Sequence, residues 1–136
     1  MTVVQRVTAN LVAIRAAHHD EAMPHYDRVV FEFADALPLF TIEYVDQLIG
    51  DGSGAPVPVA GAAILSVQMT PARAHNDNGQ DTAPGRIKLK LPIVNEIVGS
   101  GDFEAVVTYG IGLAHATQVR IITLDAPNRL VIDFVS

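Results

Sequence analysis

Arg86, Lys88 and Lys90 alternate with Ile87, Leu89 and Leu91. In an extended chain, alternate side chains share a face, so the three cations form one positive strip. Such a strip suits an anionic polymer or an acidic neighbouring surface. It also matches the lysines with which an exposed edge strand resists aggregation. Planar side chains able to stack on sugar rings are supplied by Tyr26, Tyr44 and Tyr109. Each of these also fits a core-edge position with its hydroxyl in water. The residues expected to contact a ligand are therefore Arg86, Lys88, Lys90 and Tyr109.

Other candidate chemistry is weaker. His18, His19, Asp20, Glu21 and His25 resemble metal donors. Zinc, however, needs three or four donors converging tetrahedrally, and adjacent histidines on a strand point to opposite faces. A solvated turn is the reading preferred there. The stretch His75 to Asp81 has a calcium-loop flavour, but the EF-hand pattern wants an acid first and Glu twelfth. Alignment puts Ala74 and Gly85 there. Carboxylate pairs such as Asp102 with Glu104 have no sequence feature placing them in a cleft. No serine lies in a G-x-S-x-G elbow, and Gly110-Ile111-Gly112 lacks the remainder of a phosphate loop. No catalytic constellation emerges, so the sequence reads as a non-enzyme that needs no metal and no cofactor.

The elements that must carry these residues are strands. Val29, Phe31 and Phe33 share one face of their segment, with Arg28, Val30 and Glu32 on the other. Phe40, Ile42 and Tyr44 alternate likewise, as do Leu130, Ile132 and Phe134. With Leu11–Ala17, Ile64–Met69, Arg86–Leu91, Phe103–Tyr109 and Val119–Leu124, the pattern predicts about eight strands. Asp51-Gly52-Ser53-Gly54 predicts a hairpin turn and Ala126-Pro127-Asn128 a tight turn before the last strand. His75 to Gly85 predicts a polar loop. Pro92–Val98, with Pro first and Gly99 just beyond, predicts one or two helical turns.

These elements predict an all-β antiparallel sandwich with at most one short helical segment. It forms a single domain over residues 1–136. Its expected core is Phe31, Phe33, Ile42, Leu65, Val67, Leu89, Ile122, Leu130, Ile132 and Phe134. One echo stands out: Arg28-Val29-Val30-Phe31-Glu32-Phe33 and Arg129-Leu130-Val131-Ile132-Asp133-Phe134 share an Arg, aliphatic, Val, apolar, acid, Phe pattern. It reads either as ordinary strand composition or as counterpart strands of the two sheets.

Composition limits the partners. The formal charge is −6, which opposes general nucleic-acid binding, since phosphate is met by a clustered positive field. The chain contains no cysteine, so thiol catalysis and disulfides are excluded. Mean hydropathy is +0.28, but the apolar runs are short, whereas a spanning helix needs about 20 residues. The N-terminal stretch carries Arg6, Asn10 and Arg15. A secretory leader keeps its apolar region uninterrupted, so the expectation is a cytoplasmic protein or a mature domain.

Several segments together resemble the AMIN-like domain family of actinobacterial envelope proteins, which is related to the AMIN domain of cell-wall amidases and pilus secretins. They are YDRVVFEF (26–33), Tyr44-Val45, DGSGAPVPVAG (51–61), GDFEAVVTYGIGL (101–113) and VRIITLDAPNRLVIDF (119–134). The resemblance implies a compact β-sandwich in an extracytoplasmic setting, often in a lipoprotein or other secreted protein. It implies a non-catalytic targeting module that docks on peptidoglycan or another cell-wall glycan, or on an envelope protein. It supplies no catalytic residues, and it gives Gly101, Gly110 and Gly112 a role in backbone geometry. The export signal and lipid-attachment cysteine typical of the family are absent from the sequence, as expected of a mature domain. A small apolar-ligand or lipid carrier, with a cavity between its sheets, is the competing expectation.

Overall fold

The β-branched and aromatic alternation is realised in a computed structural model that describes residues 6–136. Residues 1–5, the start of the stretch weighed above as a leader, lie outside the described residues. The strands are β1 (Ala9–His19), β2 (Tyr26–Ala34), β3 (Leu39–Val45), β4 (Leu48–Ile49), β5 (Pro56–Val57) and β6 (Ala63–Thr70). They continue with β7 (Ala72–Arg73), β8 (Arg86–Lys88), β9 (Val94–Phe103), β10 (Val106–Leu113), β11 (Val119–Leu124) and β12 (Asn128–Val135). Among the described residues there is no helix.

Two five-stranded sheets, ordered β11-β12-β2-β1-β7 and β3-β6-β10-β9-β8, face each other as a sandwich, and β4-β5 forms a separate hairpin. Pairing is antiparallel except for the short β1–β7 contact. Phe31, Leu130, Ile132 and Phe134 from the first sheet meet Val67, Met69, Ile97 and Ile111 from the second, all buried in one cluster. Buried aliphatic and aromatic area of this kind is the main favourable term in folding.

The expected core residues Phe31, Phe33, Leu65, Val67, Leu130, Ile132 and Phe134 are buried, and Ile42 and Leu89 pack half-buried against them. Ile122 departs from expectation: it is 43% exposed. It pairs with Val131, and its neighbour Ile121, which pairs with Ile132, is exposed as well. Edge strand β11 is apolar on both sides, so alternation alone could not select its inward face.

Four further expectations are corrected. The helical turns expected over Pro92–Val98 are instead strand, because Val94, Ile97 and Val98 pair with Leu113, Ile111 and Gly110 of β10. Ile93, Val94, Ile97 and Val98 have helical spacing only by coincidence; a strand covered on both faces gives an apolar run without alternation. The strand expected over Phe103–Tyr109 is broken by a hairpin turn at Glu104 and Ala105, with φ of 52° and 65°. Two successive positive φ values give the turn whose twist matches antiparallel strands, usually signalled by Asn-Gly. The strand expected over Arg86–Leu91 pairs regularly only through Lys88. The echoed segments do not face each other from the two sheets either. They are adjacent antiparallel strands, β2 and β12, of one sheet. Reversal of direction sets each arginine opposite the other's acid: Arg28 against Asp133, and Arg129 against Glu32. Arg28 donates to both Asp133 oxygens, at 2.8 and 3.0 Å.

A third layer covers the outer side of the second sheet. The turn at Asp51–Gly54 links β4 to β5 as expected, and the chain from Pro58 to Ala62 then lies over β10. Ala62 N–H donates to Leu113 O at 2.8 Å, and Asp51 N–H to Ser100 O at 2.9 Å. This approach requires glycine underneath. A Cβ on Gly110 would lie 2.7 Å from Leu48, one on Gly101 would overlap the Asp51 carboxylate, and one on Gly112 would overlap the Ala60 carbonyl. Backbone geometry is thus the role these three glycines have in the fold.

Candidate functional site

β8 is the outer strand of its sheet, and its side chains alternate as the sequence requires. Arg86 and Lys88 stand opposite Val98 and Glu96 of β9. Beyond the strand, Leu89 N–H donates to Asn95 O at 2.9 Å, which ties the chain just before Lys90 to β9. The covering segment Pro58–Ala60 passes alongside. Together they form a depression of about 680 Å³ lined by Pro58, Val59, Ala60, Arg86, Lys88, Leu89, Lys90, Asn95 and Glu96. That volume lies in the ordinary range of small-molecule sites.

The three cations named from the sequence therefore share one site, but not one role. Arg86 is held: its Nη1 lies 3.0 Å from Glu96 Oε2 and donates to Pro58 O at 3.2 Å. Glu96 is almost fully buried, and its Oε1 accepts from Ala60 N–H at 2.9 Å. This carboxylate therefore ties β8, β9 and the covering segment together. Lys88 and Lys90 enter none of the ion pairs among the described residues. Three cations against the single Glu96 carboxylate leave two positive charges on the wall of the depression.

Burial pushes the Glu96 pKa upward. The Ala60 N–H, the Arg86 hydrogen bond and the charges of Arg86 and Lys88 outweigh it and hold the group below the usual carboxylate range. A lowered folded-state pKa stabilises the fold at pH above the unfolded value, and that stabilisation disappears as pH falls through the folded value. Urea midpoints of the wild type and Glu96→Gln are therefore expected to differ most above about pH 5. The gap should close on acidification below about pH 4. A gap that stays constant through that window would contradict this role for Glu96.

Tyr109 lies elsewhere. It is 4% exposed in the core, its hydroxyl donates to Pro84 O at 2.7 Å, and its ring packs beneath Gly99. Burial pushes its pKa to about 12, with the Asp102 and Asp81 charges adding to the shift. It borders a separate cavity of about 170 Å³ together with those two acids. Tyr44 donates to Thr117 O and accepts from Thr117 N–H, fastening β3 to the chain before β11. Tyr26 is overlain by Arg28 and Arg120, 5.3 and 5.1 Å from its ring centre, and His19 stacks on it.

The histidines expected in a solvated turn end β1 instead. His18 turns to Asp27 and His19 to Glu21, the divergence that adjacent strand positions impose. Among the described residues, no three His, Asp or Glu side chains converge as metal ligands. The loop from His75 is organised by Asn76, whose Oδ1 accepts from Asn78 and Gln80 N–H, and it ends with Ala83 buried.

Sequence reasoning missed Glu96, Asn95 and the Pro58–Ala60 wall. Their signal was weak, because Asn95 and Glu96 sit inside the run misread as helical. No single-sequence pattern links residues 58–60 to β8.

A family model described as the AMIN-like domain matches residues 9–136. The chain matches no curated protein and no solved structure. The matched span takes in every strand of both sheets and the covering segment, so the likeness extends to the whole sandwich. The chain belongs to the AMIN-like domain family.

Proposed function

We propose that this chain is a non-catalytic, extracytoplasmic binding module that docks on cell-envelope glycan, peptidoglycan foremost, with residues 1–136 acting as one domain. Family membership supports the envelope-related binding role. The observation that carries the choice of site is the depression beside β8, where Lys88 and Lys90 stand without carboxylate partners on an otherwise acidic protein. Arg86 sets the wall through Glu96, and the lysines supply the free charge. Tyr109, although expected at the ligand, contributes from behind by packing β10 against β9. An envelope protein with an acidic face would engage the same strip. The carrier reading has less support, because large side chains such as Phe31, Phe134 and Met69 occupy the space between the sheets.

Co-sedimentation with purified sacculi tests the proposal. Retention is expected to fall as salt is raised, since exposed charge is screened within about 10 Å at 0.1 M. It is expected to fall at least tenfold in the Lys88→Glu/Lys90→Glu variant. Salt-insensitive retention by both proteins would move the site off β8. No retention would overturn the glycan reading and turn attention to a protein partner.

A further inference from the structure

We infer that the β8 depression selects a carboxylated sugar over its neutral counterpart, with the carboxylate between Lys88 and Lys90 and the pyranose ring against the Pro58–Ala60 wall. The inference rests on the docking reading for the kind of polymer and adds the chemistry that would be recognised. Each wall contributes a different property. Pro58, Val59 and Leu89 are apolar, a surface suited to the C–H face of a sugar ring. The Asn95 amide offers both a donor and an acceptor, which matches a hydroxyl or acetamido group.

Charge decides the rest. Arg86 is already held by Glu96 and the Pro58 carbonyl, so the planar fork that favours bidentate phosphate binding is spent internally. The two lysines remain, each a compact cation with three donors. Glu96 lies in the same lining, within the field of Lys88. With Arg86, Lys88 and Lys90 against Glu96 the depression keeps two net positive charges, so a carboxylated sugar is attracted where its neutral counterpart is not, and one carboxylate still leaves one positive charge there. The acid could be the lactyl-ether carboxylate of a muramic unit that carries no stem peptide, since the peptide's amide bond removes that charge, or the C6 carboxylate of a uronic acid. Both present the same group beside a ring.

The test is a chemical-shift titration of the full chain at low ionic strength with N-acetylmuramic acid, N-acetylglucosamine and glucuronic acid. N-acetylmuramic acid differs from N-acetylglucosamine only in the lactyl ether that carries its carboxylate. An acidic sugar is expected to bind at least tenfold more tightly than the neutral one. The largest shifts are expected at Val59, Ala60, Lys88 and Lys90. Stronger binding of the muramic acid or of the uronate assigns the source, and either supports the inference. The preference should vanish in Lys88→Met/Lys90→Met, whose sites are exposed and whose fold is checked by its unchanged urea midpoint. Equal affinities, no binding, or a preference that survives in the double variant would overturn the inference. Sacculus retention without an acidic preference would remove the inference and leave the docking reading. An acidic preference without retention would do the reverse.

Discussion

Replacing Asp27 by alanine is expected to lower folding stability by about 3–5 kcal/mol, the scale of breaking a buried charged contact. The change is read as a lower urea midpoint with unchanged slope. Asp27 is fully buried at the start of β2, in phase with the core residues Val29, Phe31 and Phe33. Its Oδ2 accepts from the N–H groups of Ile93 and Val94, at 2.7 and 2.8 Å, where the chain enters β9 of the opposite sheet. Its Oδ1 lies 2.7 Å from His18 Nδ1. One carboxylate therefore bolts the two sheets together at one end and also holds the end of β1. Alanine would strand two buried backbone donors, and unsatisfied buried groups carry the full cost of desolvation. Asp27→Asn keeps a carbonyl for both donors and is expected to lose only about 1–2 kcal/mol. A loss below about 1 kcal/mol for the alanine variant would remove the bolt from this account.

Gly112→Ala is expected to cost about 3 kcal/mol, the upper end for forcing atoms into a packed site. The added methyl would overlap the Ala60 carbonyl and come within 2.7 Å of Val59 Cγ1. The obstacle is largely backbone, so it cannot rotate away. Gly110→Ala meets only the end of the Leu48 side chain, and about 1 kcal/mol is expected for that adjustment. Gly85→Ala, with nothing within 4 Å of its Cβ, should leave the urea midpoint unchanged. The same series bears on binding. Lifting Val59 and Ala60 removes one wall of the β8 depression, so Gly112→Ala should weaken sugar binding more than Gly110→Ala, under conditions where both variants are folded. Equal midpoints for Gly112→Ala and Gly85→Ala would contradict the close approach of the covering segment.

Half-buried strands were legible in the sequence because one face meets water. Val29, Phe31 and Phe33 of β2, and Leu130, Ile132 and Phe134 of β12, announce both the strand and its inward side. The row Arg86, Lys88, Lys90 likewise announces an outward face, and its residues do share a site. Legibility fails where that contrast disappears. β9 is covered on both sides, so its apolar residues lose their alternation and mimic a helix. β11 is exposed on both sides, so its alternation does not mark Ile122 as outward. The hairpin at Glu104 and Ala105 uses residue types that do not advertise positive φ. Partners distant in sequence, such as Asp27 with Ile93 or Glu96 with Ala60, leave no local mark, since a lone acid within an apolar run has no sequence-visible acceptor role. Tyr109 was readable as an aromatic at a strand position, but not as one sealed beneath Gly99.

The pairing of β2 with β12 also bears on when the protein can assemble. Arg28 and Asp133 are 105 residues apart in the chain, yet their strands are neighbours at the centre of the first sheet. At synthesis rates of about 5–20 residues per second, Arg28 emerges about 5–20 s before its partner. Throughout that interval β2 has β1 on one side and a vacant hydrogen-bonding edge on the other. Closing such distant pairings is slow, because loop entropy is lost before the contacts form. The nascent chain thus stays unclosed until its final strand is delivered, the state in which a polypeptide can still be threaded or handed to a chaperone.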